Sequence, residues 1–380
     1  MIRKRTWILR LIFISILLVL IGKPSASYAM STQEEEYDYT QIQKSLNSAL
    51  GKEDNMNFGE YVKNLLSGKE SFSFKGVFQK MLQTIGLEFK SNLSSLMKLL
   101  TIAVISAVFT NFSHTFQNSQ IAETGFYVTY LLMFVILAST FIGATKLATD
   151  TLHNVLNFMK ALVPTYCMSV AFCTGATTSA AYYQGILILV TVVDYLLLKI
   201  VFPLTSIYMM AVLANNLSQE DMLSKLSELL ATLIRWMLKT LLAVVIGIGT
   251  IQSLITPAVD QVKRSSIIKA TQMIPGIGGL FSGVAETVLG AGSLLKNCIG
   301  VAGLVAIIVI CAIPIVKLII YVLIYKLVAA AIQPISDKRI VNCVSASAEA
   351  SSLLLQTVFV AAILFEIVIT IVAVSTMRVT

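Results

Sequence analysis

Apolar residues dominate the chain from about residue 93 onward, in eight long runs separated by short polar stretches. Most runs reach the roughly 20 residues that an α-helix needs to cross the hydrocarbon core of a bilayer. Helices of this kind satisfy their own backbone polar groups in lipid. The pattern therefore predicts an all-α, polytopic integral membrane domain over residues 93–380. Its eight predicted spans are 93–112, 126–144, 162–181, 185–214, 237–255, 277–295, 299–332 and 353–374.

The first 29 residues have the pattern of a secretory signal peptide. A basic start with Arg3 and Arg5 precedes an apolar run over 7–21, and Ser27 and Ala29 supply small residues before a cleavage site. The alternative is an uncleaved first helix. With either outcome, the segment that follows is expected outside the cytoplasm.

Residues 30–92 form that segment, and they are mostly polar. Apolar residues recur at helical spacing around Tyr61 and Leu65, and again around Phe78 and Ile85. The spacing predicts a small helical exported segment, with short amphipathic helices that lie on the membrane or on a partner.

Composition supports a membrane protein and argues against nucleic acid. Hydrophobic residues make up 56% of the chain and charged residues 13%, about half the charged fraction of a soluble domain. Five of the eight net positive charges lie within residues 1–30, and no basic stripe is interleaved with aromatic residues. The five cysteines lie in or beside apolar runs, which predicts packing residues rather than disulfides.

The placement of basic residues predicts the orientation of the membrane domain. The clearest basic loops are 263–269 and 338–339, and both are expected in the cytoplasm. An exported N-terminus followed by eight spans gives this result. It also places Lys146 and Lys160 outside.

Four prolines suggest an internal repeat. Pro164 is followed after 39 residues by Pro203, and Pro275 after 39 residues by Pro314, so that the two pairs are 111 residues apart. Three spans per unit would invert the second unit relative to the first, as in many transporters. Chance spacing of prolines in a helical chain is the alternative. The units of this hypothesis are 126–236 and 237–347.

A proline within a helix removes a hydrogen bond and kinks or ends the helix. In lipid, the freed carbonyls need another donor, and Thr205 and Ser206 stand close to Pro203. Such breaks could line a water-accessible path, or they could be packing kinks. Both interpretations stay open.

Ionisable residues within apolar runs are costly and must face protein or water. Asp194 and Lys199 are five residues apart, a poor spacing for one helical face, and Glu286 lies among glycines. Glu286 is the best candidate for a polar path, with Asp194 second. Pairing or snorkelling to the membrane surface is the alternative for these two residues and for the others, which are Lys199, Lys296, Lys317, Lys326 and Glu366.

No motif of a phosphate-binding loop, a zinc protease or a C-x-x-C pair is present, and the two histidines lack ligand-spaced partners. We therefore predict no catalytic, cofactor-binding or metal-binding residues, and no enzyme activity.

Three strings resemble a known family. They are FPLTSIY at 202–208 running into ANNLSQEDMLSKL at 214–226, TIQSLITP at 250–257, and QPISDKRI at 333–340. With the signal peptide and the pattern of spans, the chain resembles stage III sporulation protein AE of endospore-forming bacteria.

The resemblance implies a multi-pass membrane protein of the mother cell, in the membrane that surrounds the engulfed forespore. It implies partners from the same operon, including a secretion-type ATPase and ring-forming membrane proteins. Together they would form a channel that sustains late gene expression in the forespore. The residues themselves leave two alternatives open, a self-sufficient secondary transporter and a membrane scaffold without a conducting path. An intramembrane enzyme ranks last.

Overall fold

The computed structural model describes residues 38–50, 56–68, 119–217, 222–272 and 278–375, with scattered positions between 79 and 108; the side chains of 119–123 and 252–289 are outside this description. Every element in the described ranges is helical. The helices are α1 Thr40–Leu50, α2 Phe58–Leu66, α3 Ser119–Thr174, α4 Ala176–Leu196, α5 Phe202–Leu217, α6 Ser224–Gln272, α7 Gly278–Ile332 and α8 Lys338–Ser375, with a π-helical turn at Leu197–Val201 between α4 and α5.

Five helical stretches in the described residues are long and apolar enough to cross a membrane, which agrees with the predicted class of protein. The predicted count of about eight is not confirmed. Helix α3 is continuous from 126–144 into 162–174, and α7 contains both 277–295 and 299–332. The run at 93–112 is described only in part, with a helical stretch at 97–105. The five stretches are Thr124–Cys173, Ala176–Leu217, Ser224–Ile251, Gly290–Ile332 and Lys338–Val374.

Helices α3 and α7 run antiparallel and approach closely at glycines. A Cβ atom built on Gly292 would lie 3.0 Å from the Cβ of Phe172, and one built on Gly303 would lie 2.6 Å from a methyl of Leu162. As the numbers rise along α7 they fall along α3. The small residues let the two backbones come together, as in other membrane helix pairs.

Helix α8 runs parallel to α3. The Tyr130 hydroxyl donates to the Leu213 carbonyl and lies 3.5 Å from the sulfur of Cys343, and the Tyr166 hydroxyl lies 3.5 Å from the carbonyl of Ile369. These tyrosines are fully buried and connect α3 to α5 and α8. Buried hydroxyls of this kind fix the relative positions of the helices, because an unpaired one would be costly.

Helix α6 is parallel to α8 as well. Arg235 forms an ion pair with Glu349, and Gly249 faces Ile371. Residues 263–269, at the far end of α6, therefore lie at the opposite end of the bundle from residues 338–339, at the start of α8. The orientation expected from the sequence placed both basic segments on one face of the membrane, and the structure differs from it.

The proposed inverted repeat is not confirmed either. Pro164 and Pro314 lie within continuous helices, so neither helix ends at its proline. Pro203 is different, because it is the second residue of α5, just after the π-helical turn. Pro275 lies outside the described residues.

Helices α7 and α8 form the centre of the bundle. Between 295 and 318, α7 has no exposed residue, and the same holds for α8 between 350 and 373. Helix α7 packs chiefly against α8 and α3, and α8 also contacts α5 and α6. This hairpin is therefore surrounded by protein over most of its length, as a helix that is apolar on all sides requires.

The N-terminal helices α1 and α2 pack on the side of this bundle. Ile42, Leu46, Phe58 and Val62 are 1% exposed or less, and the ring of Phe58 lies 6.3 Å from that of Phe158 on α3. Helix α1 contacts α3, and α2 contacts α7. The amphipathic helix expected around Tyr61 and Leu65 is α2, and its partner is the bundle itself. Around Phe78 and Ile85 the described residues 82–87 are helical, but Leu82 and Ile85 are exposed.

Local capping explains where α1 and α2 begin. The side chain of Asn57 accepts a hydrogen bond of 3.1 Å from the backbone N–H of Glu60, which is the usual cap of an α-helix. Asp38 accepts one of 2.9 Å from the N–H of Thr40. Hydrogen bonds from the Thr40 side chain and backbone lower the pKa of Asp38, because they favour its charged form.

Candidate functional site: a polar belt on the helix bundle

The outer face of α3 changes from apolar to polar and back again. Near its start, the exposed large side chains are apolar, from Val128 to Ile142. Near its end, Met168 and Phe172 are exposed. Between these two parts, five exposed positions at helical spacing all carry polar side chains, and we call them the polar belt. They are Lys146, Asp150, His153, Asn157 and Lys160.

Helix α4 extends the belt around the bundle. Asp194 lies 3.5 Å from Lys160, with side chains 30% and 49% exposed, and Lys199 is exposed one turn further along. The sequence suggested Lys199 as the neighbour of Asp194, but the structure pairs Asp194 with a residue of α3. At this exposure the pair is a surface ion pair, and it contributes about 0.2–1 kcal/mol to stability.

The backbone polar groups around Pro203 form hydrogen bonds with nearby residues. The N–H of Phe202 donates to the carbonyl of Leu197, which closes the π-helical turn. The hydroxyl of Thr205 donates to the carbonyl of Val201 at 2.8 Å, and that of Ser206 to the carbonyl of Phe202 at 3.1 Å. Single π-helical turns often mark functional sites, and this one contains Lys199, which extends the belt.

Two apolar surfaces lie on either side of the belt. The first collar contains the apolar face of α3 between 127 and 142, together with exposed side chains of the antiparallel helices, which are Ile207, Met210, Ile319, Leu323 and Leu327. The second collar surrounds the junction of α3 and α4 and the later part of α6. Its exposed members include Met168, Phe172, Tyr183, Ile188, Val192, Val244 and Ile248.

Lys296 is a charged residue in the centre of the bundle. It is fully buried, on α7 between Gly292 and Gly300, where α7 crosses α3. The sequence left snorkelling and structural pairing open for this lysine, and complete burial excludes snorkelling. A buried ammonium of this kind requires polar neighbours, because isolation in an apolar interior costs several kcal/mol.

The remaining predicted positions are distributed along the bundle. Glu286 lies within α7, but its side chain is outside the described residues, as is Pro275. Pro164 is exposed on α3 at the border of the second collar, and Pro314 is half-buried in the central helix. The described residues do not bring the predicted prolines and carboxylates together at one site.

The belt is suited to contact rather than to bond making. Within the described residues, no group of three or more His, Cys, Asp or Glu side chains is placed to hold a metal ion. The belt residues follow an outer face of α3 instead of converging on a cavity. Their charges can bind water, lipid headgroups or a protein partner.

The sequence contained a signal for the belt that the analysis of apolar runs missed. Polar residues recur at 146, 150, 153, 157 and 160, which is the spacing of one face of a helix. The segment lies between two predicted spans, where apolar runs alone cannot distinguish a loop from one face of a continuous helix. The burial of Lys296, by contrast, depends on which helices surround it.

Comparison with known proteins identifies the family. The family model described as stage III sporulation protein AE matches residues 56–376. Stage III sporulation protein AE of Bacillus subtilis (strain 168) is 23% identical over 308 residues, which cover 81% of this chain and 77% of that protein. No solved structure matches the chain. The chain, with its five long apolar helices, belongs to the stage III sporulation protein AE family.

Proposed function

We propose that the protein is a non-enzymatic membrane subunit of a channel or secretion-like complex that links mother cell and forespore. Its place would be the mother-cell-derived membrane around the forespore. Its partners would be other stage III sporulation proteins of the same operon, including a secretion-type ATPase and ring-forming membrane proteins. Membership of a sporulation family supports a role in sporulation, and the long apolar helices support a location in a membrane.

The filled centre of the bundle is the observation that favours a subunit over a self-sufficient transporter. Over 295–318 and 350–373 the central hairpin has no exposed residue, and the fully buried side chains there include Leu318 and Phe365. A path through one chain would need polar walls and room for water in this region. A path that this protein helps to form would therefore lie between chains.

We also propose an organisation for the parts that the described residues do not test. Residues 1–29 act as a signal peptide, 30–92 form the exported segment, and 93–380 form the membrane domain. Within the described residues we propose five crossings instead of the eight expected, because 126–144 continues into 162–174, 277–295 and 299–332 belong to one helix, and the run at 93–112 is described only in part. Glu286 stays a candidate for a polar path between chains.

Co-purification from sporulating cells tests the proposal. A tagged chain, extracted in a mild detergent, is expected to elute with the other stage III proteins in an assembly much larger than the 41.4 kDa chain. Elution as a lone species, together with solute flux through proteoliposomes that contain this chain alone, would instead support the transporter. A stable assembly that does not support forespore gene expression, while all its members accumulate normally, would support the scaffold.

A variant of Glu286 distinguishes a residue that lines a polar path from one that only packs against its neighbours. Glu286→Gln keeps the size of the side chain and its hydrogen bonding but removes the charge. If the carboxylate lines a path between chains, forespore gene expression falls while the protein accumulates and assembles as before. Normal expression in both Glu286→Gln and Glu286→Ala would remove this residue from the functional site.

A further inference from the structure

A groove between α3 and α5 lies where the first collar meets the polar belt. Its volume is about 320 Å³, near the lower end of the range for ligand sites in proteins. The walls toward the collar are apolar and flexible, with Phe141 and Ile142 from α3 and Met209 and Met210 from α5. Methionines adapt their shape to irregular apolar ligands.

The end of the groove toward the belt carries both signs of charge. Lys146 and Asp150 line it, one helical turn apart on α3. They form no ion pair with each other in the described part of the chain, and both side chains are exposed. A ligand can therefore reach an ammonium donor and a carboxylate acceptor at the same end.

Two of the three hydroxyl residues that line this end of the groove already donate hydrogen bonds within their own helices. Thr145 donates to the carbonyl of Phe141 at 2.9 Å, and Ser206 donates to the carbonyl of Phe202 at 3.1 Å. Both residues line the groove, and a hydroxyl oxygen that donates can still accept a hydrogen bond. With Asp150 they make a set of acceptors, which suits a ligand that carries a cationic N–H donor.

We propose that this groove binds one phospholipid of the phosphoethanolamine class. One acyl chain lies along Phe141, Ile142 and Met210. The phosphate meets Lys146, and the primary ammonium meets Asp150 and the hydroxyl oxygens. The two protein charges sum to zero, as do those of this headgroup, whereas an anionic headgroup would leave Asp150 opposed by like charge. A choline headgroup has no N–H to donate.

The position of the groove along the bundle supports a lipid over a soluble ligand. The exposed face of α3 is apolar up to Ile142 and polar from Lys146, and this change is expected where a helix leaves the hydrocarbon for the headgroup region. The groove crosses that level. An amphiphile fits this position, with its acyl chain beside the apolar part of the groove and its headgroup beside the polar part.

Native mass spectrometry of the purified full-length protein tests the proposal. After delipidation, the protein is mixed with phosphatidylethanolamine, phosphatidylcholine and phosphatidylglycerol of identical acyl chains. We expect one molecule of phosphatidylethanolamine to be retained about tenfold better than either competitor, as one charge-assisted hydrogen bond would give. Equal retention of all three lipids, or preference for phosphatidylglycerol, would overturn the proposal.

Matched variants locate the bound lipid. Lys146→Gln and Asp150→Asn change exposed side chains, and each is expected to reduce the retained phosphatidylethanolamine about tenfold. Lys225→Gln on α6, where the lysine is 92% exposed and pairs with Glu228, is the control and should change nothing. Loss of lipid in the control to the same extent, or full retention in both groove variants, would contradict the assignment.

Discussion

Glycines at the crossing of α3 and α7 set how closely these two helices pack. Gly303 leaves no room for a side chain beside Leu162, whereas Gly290, on the same helix, has nothing within 4 Å of a built Cβ. The two positions therefore allow the same substitution to be compared in closed and in open surroundings.

We expect Gly303→Leu to destabilise the bundle by about 1–3 kcal/mol, or to prevent accumulation, because the added side chain overpacks the crossing. Gly290→Leu should be neutral or slightly stabilising, since glycine is a poor helix former. Thermal unfolding of both variants in detergent measures the difference. Equal midpoints would contradict the close approach of α3 and α7.

The ion pair between Lys160 and Asp194 reports whether the belt faces water or lipid. If it faces water, Asp194→Asn should cost no more than about 1 kcal/mol. If it faces lipid, the variant would leave Lys160 uncompensated and cost about 3–5 kcal/mol. We expect the small effect in unfolding measurements on protein in lipid nanodiscs.

The exchanged pair Lys160→Asp with Asp194→Lys serves as the control for this measurement. It should recover the stability of the natural protein if the two side chains interact across α3 and α4. A large cost for Asp194→Asn that the exchange fully recovers would place the belt in lipid and contradict our interpretation.

At the scale of single residues, the sequence shows which ionisable side chains need a partner, but not which residue that partner is. It selected Asp194 and Lys296 as ionisable residues that must be satisfied within apolar runs. It could not select Lys160 as the partner of Asp194, because the two are 34 positions apart and meet only when α3 and α4 pack. Nor could it distinguish a lysine that snorkels from one that is fully buried.

At the scale of elements, α1 and α2 depend on the bundle for their stability. Each helix is short, and isolated helices shorter than about 12–15 residues are marginal in water. Their buried side chains at Ile42, Leu46 and Phe58 contact the bundle rather than an independent core. Packing against α3 and α7 therefore keeps them folded.

We expect Phe58→Ala to release both helices, since removal of a buried phenylalanine costs about 3–5 kcal/mol. Limited proteolysis should then cleave the segment 38–68 much faster while the bundle resists. Leu66→Ala, at a side chain that is 47% exposed, is the matched control and should leave the cleavage rate unchanged. Equal cleavage rates in Phe58→Ala and the natural protein would contradict the docking.

The elements also show where apolar runs predict structure and where they do not. The runs gave the helical class, because nothing but helices fits such lengths of apolar sequence. They gave the wrong boundaries for α3 and α7, since a polar stretch such as 145–161 can be a loop or one exposed face of a continuous helix. The other face of the stretch distinguishes the two cases. In a continuous helix it is buried, as is found for Leu152, Val155, Leu156 and Met159.

At the scale of the whole molecule, five long helices pack around a filled centre, and two collars are separated by a polar belt. Residues 124–173 of α3 alone would extend about 75 Å as a straight helix, more than twice the thickness of a hydrocarbon core. Part of the bundle therefore lies outside the bilayer. The polar belt and the helices docked beside it are the parts best suited to water.

We expect the long apolar helices of the described residues to cross the membrane five times, so that residues 263–269 and 338–339 face opposite sides. Labelling with a membrane-impermeant maleimide tests this arrangement directly, using Arg264→Cys and Lys338→Cys one at a time in protoplasts of non-sporulating cells that carry the protein in their plasma membrane. The natural protein gives the background, since four of its five cysteines are buried and Cys173 is half-buried. We predict that one variant reacts in intact protoplasts and the other only after permeabilisation. Protection of both until permeabilisation, as eight crossings require, would contradict the five-crossing bundle.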